Sequence, residues 1–277
     1  MRRLAVLFAV LAVAGCSSTQ KPASETARPL AFANEQPTPP SLADKKDVMS
    51  FPGPRTGLAG RTLRVSSISD IRLARNEVVL TFDDGPVAGR TEQILNALDR
   101  HGVKATFLMV GRMAKARPDL VRKVAARGHA IGTHTQNHPN LARMGFDRAL
   151  DEITQGRRSV AAALIPTGMK AAPFFRFPYL SDTPALRRHL ASQGVTVIDV
   201  DVDSKDYFVS SPDQVRNRTI ASLERRGSGI ILLHDLHQRT ANMLPGLLDD
   251  LHPRGYKVVN LQPSHSVATD LLVASAE

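Results

Sequence analysis

The chain has 277 residues, 42% of them apolar, a formal charge of +10 and one cysteine. That length and composition suit one substantial core and exclude a disordered chain, while the lone Cys16 excludes an intrachain disulfide. The positive charge suits an anionic partner such as cell-wall polymer, membrane or nucleic acid, but aromatics at 5% and the absence of tryptophan leave no interleaved platform for bases, so nucleic acid is not expected.

The first element is an export signal. Met1-Arg2-Arg3 precedes an apolar run from Leu4 to Ala14 that is too short for a permanent membrane span. The junction Val13-Ala14-Gly15-Cys16-Ser17 resembles the lipobox of bacterial lipoproteins, which implies cleavage after residue 15, lipidation of Cys16 and a tether to a membrane facing the periplasm or cell wall. Residues 16–60 read as a flexible tether, rich in Ser, Ala and Pro and interrupted by Pro37, Pro39, Pro40, Pro52 and Pro54. Residues 61–76 form a short extension expected to pack on the domain edge.

From Glu77 the pattern becomes strands alternating with amphipathic helices. The expected strands are Val78–Phe82, Ala105–Val110, Ala130–Thr133, Phe174–Phe177, Val195–Val200, Gly229–Leu233 and Lys257–Asn260. Between them lie helices over Thr91–His101, Pro118–Arg127, Asp147–Leu164, Thr183–Gln193, Pro212–Arg226 and Ala241–Leu251. In the first helix Ile94, Leu95 and Leu98 make one apolar stripe, and Gly102 supplies a stop. Repeated strand–helix–strand units imply parallel pairing. About seven of them predict an α/β fold, a distorted (β/α)7 barrel over residues 77–262, with an open doubly wound sheet as the alternative and 263–277 as a tail.

The chemistry sits where those strands end. Val78, Val79 and Leu80 read as a strand buried on both faces that runs straight into Asp83 and Asp84, with Gly85-Pro86 forcing a turn. Two adjacent carboxylates at a buried strand end repel each other and lose solvation, a cost of several kcal/mol unless a cation or proton relieves it. His134 and His138 are spaced so that one turn aims both imidazoles at one ion. Two His nitrogens and one Asp oxygen leave open positions for water and substrate, as a catalytic site requires. Arg176, Asp203, Asp206, His234 and Asp235 also follow strands, and in a β/α barrel all those ends open on one face.

In this order the chain carries Thr81-Phe82-Asp83-Asp84-Gly85, His134-Thr135-x-x-His138, Arg176-Phe177-Pro178-Tyr179, Asp203-Ser204-Lys205-Asp206-Tyr207 and Ile231-Leu232-Leu233-His234. Those five motifs resemble the polysaccharide deacetylases of carbohydrate esterase family 4, the NodB-homology domain. The resemblance implies a divalent metal, most often zinc with cobalt, nickel or manganese as alternatives, held by Asp84, His134 and His138. It further implies Asp83 as general base, Arg176 as its orienting partner and His234 as general acid. The amide of Tyr179 would face the oxyanion, Leu232 would line a pocket for the acetyl methyl, and Tyr207 would form a groove wall. A fourth-motif carboxylate should hold His234 protonated; Asp203 is the expected one, with Asp206 nearer Arg176. The family usually has tryptophan where Tyr207 stands and glycine where Leu180 stands. His101, His129, His189, His237, His252 and His265 match no motif and are expected at the surface or at helix ends.

The function these readings lead to is N-deacetylation of peptidoglycan or chitin-like N-acetylglucosamine oligomers by a monomer. An O-acetyl polysaccharide esterase and a non-catalytic wall-binding lipoprotein are the alternatives.

Overall fold

The computed structural model describes residues 57–264. The leader, Cys16, most of the tether, His265 and the rest of the tail lie outside them. Nine parallel strands and seven helices alternate along the described chain. Six strands match runs expected from the sequence: β2 (Glu77–Asp83), β3 (Thr106–Met109), β4 (Ala130–Thr133), β5 (Phe174–Phe175), β8 (Gly229–His234) and β9 (Lys257–Pro263). The run expected at 195–200 is instead two short strands, β6 (Thr196–Val197) and β7 (Val202–Asp203). β1 (Ala59–Val65) comes from the extension and pairs with β9.

The ladders run β6-β5-β4-β3-β2-β8-β7, all parallel. No ladder joins β6 to β7 among the described residues; the chain itself spans that gap. Ile198 donates its N–H to Phe175 on one side, and Asp201 and Ser204 donate to Ile230 and Leu232 on the other. β9 touches β2 only at Glu77 and Val78 and continues alongside β1, outside the ring. The fold is therefore the expected parallel α/β architecture, a seven-strand run whose backbone ladders do not close into a complete ring among the described residues.

The helices are α1 (Arg90–Arg100), α2 (Gly111–Ala116), α3 (Pro118–Ala126), α4 (Phe146–Leu164), α5 (Pro184–Ser192), α6 (Pro212–Arg226) and α7 (Gln238–Leu251). Their ends follow local chemistry. In α6, Ser211 accepts from the Gln214 N–H, Gln214 reaches back to the Ser211 N–H, and Gly227 closes the helix at φ 89°. α2 has no counterpart among the expected helices, because six residues without an apolar stripe give no periodic signal.

Strand alternation sorts the core. Val78, Leu80 and Phe82 of β2 pack with Leu95, Leu98 and Leu244 in the cluster between sheet and helices, whereas Val79 packs inside with Leu108, Phe174, Ile198 and Ile230. By the same parity Thr81 and Asp83 face inward. On β8, Ile231 and Leu233 join the helix-side cluster and Ile230 the inner one, so Leu232 and His234 also face inward.

Candidate active site

Asp83 ends β2 and is the register partner of both Leu108 and His234. Its Oδ1 accepts from Arg176 Nη1 at 2.7 Å, and both side chains are almost wholly buried. Arg176 is held throughout. The same Nη1 donates to Thr81 Oγ1 at 2.8 Å, Nε to the Ile198 carbonyl at 3.0 Å and Nη2 to the Asp199 carbonyl at 3.2 Å. A buried charge pair is tolerable only with its remaining hydrogen-bonding groups satisfied, and these carbonyls and the threonine do that.

Asp84 follows at φ 79°. The turn is tight because Asp235 is folded against it: a Cβ on Gly85 would fall 2.0 Å from Asp235 Oδ2, so only glycine fits. Asp235 is fully buried, accepts from Thr91 Oγ1 at 2.7 Å, and burial pushes its pKa up to about 7, helped by the charges of Asp84 and Asp83.

His134 follows β4, and its Nδ1 lies 2.7 Å from the Arg176 carbonyl. A carbonyl only accepts, so Nδ1 carries the proton and Nε2 of the neutral ring presents a lone pair. Burial depresses the pKa of His134 despite Asp83 and Asp84, which keeps the ring neutral. The next turn is strained, with Thr135 at φ 67° and His138 at φ 63°. Thr135 Oγ1 accepts from the His138 N–H at 2.9 Å, and Glu152 of α4 accepts from the N–H and the Nδ2 of Asn137, both at 2.8 Å. The strained turn is thus bonded both within itself and to a helix.

These elements place Asp84 Oδ1 at 3.2 Å from His138 Nε2 and 3.6 Å from His134 Nε2. One ligand atom from each of the three residues lies within 4.8 Å of the others. Asp84 Oδ1 is buried and accepts no hydrogen bond. A buried carboxylate oxygen without a donor, faced by two imidazole nitrogens, fits a divalent cation by geometry and donor chemistry.

His234 ends β8. Asp206, wholly buried, takes the His234 N–H on Oδ2 at 2.8 Å, stands 2.7 Å from His234 Nδ1 through Oδ1, and accepts from Thr240 Oγ1 at 2.6 Å. Burial alone would lower the pKa of His234; the hydrogen bond and charge of Asp206, with Asp83 and Asp84, outweigh it and raise the value to about 9. The expectation that Asp203 would do this is corrected. Asp203 accepts from the Lys205 N–H and from Tyr207 Oη, each at 2.8 Å, because β7 ends at Asp203 and the turn through Lys205 at φ 53° brings Asp206, three residues on, under β8. Nor does Asp206 stand by Arg176, whose carboxylate partner is Asp83.

Tyr179 lies in a turn of 3-10 helix, Pro178–Leu180, at φ 60°, with its ring at 66° to the His138 ring and the two centroids 4.8 Å apart. Leu180 adopts φ 53°, a conformation glycine takes without strain. Leu232 is buried on β8 between Thr81 and Asp203. The Tyr207 ring stands 5.6 Å from His234. Of the histidines outside the motifs, His101 stands at a helix end, as the C-cap of α1, though buried, whereas His129 is buried rather than at the surface. His129 Nδ1 accepts from the Ala105 N–H at 3.1 Å, and burial holds its pKa at about 3.

Residues 71–198 match the family described as Polysaccharide deacetylase. A chitooligosaccharide deacetylase from Sinorhizobium fredii is 30% identical over 201 residues, 68% of this chain and 91% of that protein. The chain belongs to the polysaccharide deacetylase family. A chitin deacetylase from Colletotrichum lindemuthianum is 33% identical, over 66% of this deacetylase and 77% of its relative. The fold is shared with a peptidoglycan deacetylase from Bdellovibrio bacteriovorus at a TM-score of 0.66 and 33% identity, covering 78% of this chain and 59% of that one. Glu152, Asp235 and Thr240 brace the deacetylase site from outside the motif positions that carry its chemistry. No spacing in the sequence marks Glu152 or Thr240; Asp235 gave only its place beside His234.

Proposed function

We propose that this deacetylase hydrolyses the acetamido groups of N-acetylglucosamine units in cell-envelope polysaccharide, peptidoglycan or a chitin-like oligomer. The observation that carries it is the meeting, at the ends of parallel strands, of a three-ligand cluster with a buried Asp83–Arg176 pair and a buried Asp206–His234 pair. Asp84, His134 and His138 would hold the divalent ion, zinc by its suitability for two imidazoles and a carboxylate, with cobalt, nickel and manganese as alternatives. When bound, such an ion polarises a carbonyl and lowers the pKa of water.

The chain's own groups supply the proton transfers. Arg176 fixes Asp83 Oδ1, and among the described residues no hydrogen bond reaches Oδ2, which faces His134 Nε2 at 3.8 Å, so Asp83 would take the proton of the attacking water. The carbonyl oxygen, as it gains charge, would face the Tyr179 amide. His234, kept cationic by Asp206, would give its proton to the departing amine. Leu232 would line the acetyl pocket. We further propose that the protein works outside the cytoplasm as a monomer, lipid-anchored through Cys16. The test is acetate release and free-amine formation on a panel of peptidoglycan, chitin oligomers and O-acetylated polysaccharide, with and without chelator. Amine formation from the first two that chelator stops supports the reading; acetate from esters alone overturns it. A Cys16→Ala variant that fractionates with membranes as the parent does would overturn the anchor.

A further inference from the structure

Tyr179 and Leu180 are consecutive non-glycine residues in the left-handed region, at φ 60° and φ 53°. L side chains resist that conformation, so a turn containing two of them persists only where its surroundings hold it. Within the turn, the Leu180 N–H donates to the Phe177 carbonyl and the Ser181 N–H to the Pro178 carbonyl, both at 3.1 Å. One side chain, Arg187 of α5, then grips both of its ends. The Arg187 guanidinium carbon lies over the Phe177 ring, 5.8 Å from the centroid and ahead of the turn, while Nε donates to Asp182 Oδ2 at 2.6 Å, just behind it. The other two nitrogens reach Asp199, Nη2 to Oδ1 at 2.6 Å and Nη1 to Oδ2 at 3.3 Å.

Asp199 belongs to the stretch that crosses the seam between β6 and β7. Its carbonyl, with that of Ile198, accepts from Arg176, the partner of Asp83. A single guanidinium therefore joins the turn that carries the Tyr179 amide to the stretch that fixes the Asp83–Arg176 pair. Close apolar packing does not set that spacing, because a cavity of about 240 Å³ lies there, lined by Arg176, Phe177, Leu180, Arg187 and residues 197–200. Isolated ion pairs near the surface contribute little, but a planar fork bidentate on one carboxylate and bonded to a second holds both at fixed distances. We infer that Arg187 is a positioning residue for the reaction, one that keeps the amide of the strained Tyr179 turn at a set distance from Asp83. The inference rests on the proposed deacetylase reading, in which those two groups serve the same acetyl group.

The test combines kinetics with a readout that needs no turnover. In the full chain, Arg187→Ala is expected to lower kcat on an N-acetylglucosamine oligomer roughly 10- to 100-fold, the scale of a small displacement at a reacting centre, with KM near the parent value. Arg187→Lys should recover only part of that loss, because an ammonium is a point charge that cannot fork between Asp182 and Asp199. Asp182→Ala should lose less than Arg187→Ala, since the Asp199 arm stays, and combining the two should cost nothing beyond Arg187→Ala alone. Hydrogen exchange read by mass spectrometry should quicken over residues 178–183 in Arg187→Ala and stay as in the parent over β2 and β8. An unchanged kcat, an effect confined to KM, or full additivity of Asp182→Ala with Arg187→Ala overturns the inference. So does exchange that quickens across the whole domain, which would make Arg187 a general stabilising pair. Failure of the activity reading looks different: the parent protein itself releases no acetate from any N-acetylated polymer, while exchange over residues 178–183 still decides whether Arg187 holds the turn.

Discussion

Asp84 has a buried oxygen with no hydrogen bond, whereas Asp206 accepts from the His234 N–H, from Thr240 and, across 2.7 Å, faces the His234 ring. The imidazoles beside them diverge accordingly. His134 is buried with its proton held on Nδ1 by a carbonyl, and burial keeps it neutral; His234 is nearly as enclosed yet stays cationic to about pH 9. Burial acts the same way on both rings, so what separates them is whether a carboxylate is bonded to the ring or left to face it across 3.6 Å. One arrangement leaves a lone pair for a cation and the other leaves a proton to give away.

The harshest way to break the contrast is to remove the neutral ring. His134→Ala should abolish turnover with and without moderate added metal, while circular dichroism reports an intact fold, because the core strands and helices pack independently of this side chain. Chelation of the parent protein should do the same, reversibly. Unchanged turnover after exhaustive chelation would sink the metal assignment.

Asp83→Asn tests the adjacent acid. A positioned base contributes roughly 10²–10⁴-fold, so kcat should fall by that much while metal content, read by atomic emission, stays at the parent level. Asp84→Asn should instead lose the metal. A reversed outcome would exchange the two roles.

Asp206→Asn sharpens the other half. His234 should act as an acid below its pKa and fail above it, so the rate falls along an alkaline limb. A divalent ion at Asp84 weakens the contributions of Asp83 and Asp84 and places that limb somewhat below 9. Removing the carboxylate should shift the limb to lower pH by roughly 1–3 units. Asp203→Asn should leave it in place, and a limb that moves with Asp203 and not with Asp206 would contradict the observed pairing.

The smallest effect concerns the turn that carries His138. Glu152→Ala removes both bonds to Asn137 and frees a turn with two residues at positive φ. Metal affinity, measured by competition with a chromogenic chelator, should weaken roughly tenfold, and saturating metal should restore most of kcat. Equal affinity would show that Thr135 and the backbone bonds to Gly111, Arg112 and residue 152 hold the turn without the carboxylate.

Much of this was legible in the chain. Continuous apolar runs ending in acids, histidines and an arginine marked the strands and their chemically active ends. That pattern is local, since a strand buried on both faces must be apolar along its length and polar only where it stops. Strand alternation does not separate adjacent Asp83 and Asp84: Asp84 lies beyond β2 at φ 79°, and the two carboxylates stand 3.8 and 3.6 Å from the same His134 Nε2. The choice between Asp203 and Asp206 could not be read locally. Both follow the same strand, and only the left-handed turn at Lys205 and the position of β8 decide which reaches His234. Tertiary pairing also made β1 a strand: five of its seven residues read Gly60-Arg61-Thr62-Leu63-Arg64, none of them buried, and its partner β9 lies almost two hundred positions further along the chain. Glu152 belongs to the same class, an acid on a helix whose spacing resembles any solvated charge until the fold lays it beneath Asn137. Local sequence determined which residues could do chemistry, since periodicity and side-chain type are local; long-range packing decided which carboxylate was left bare and which was bonded to an imidazole.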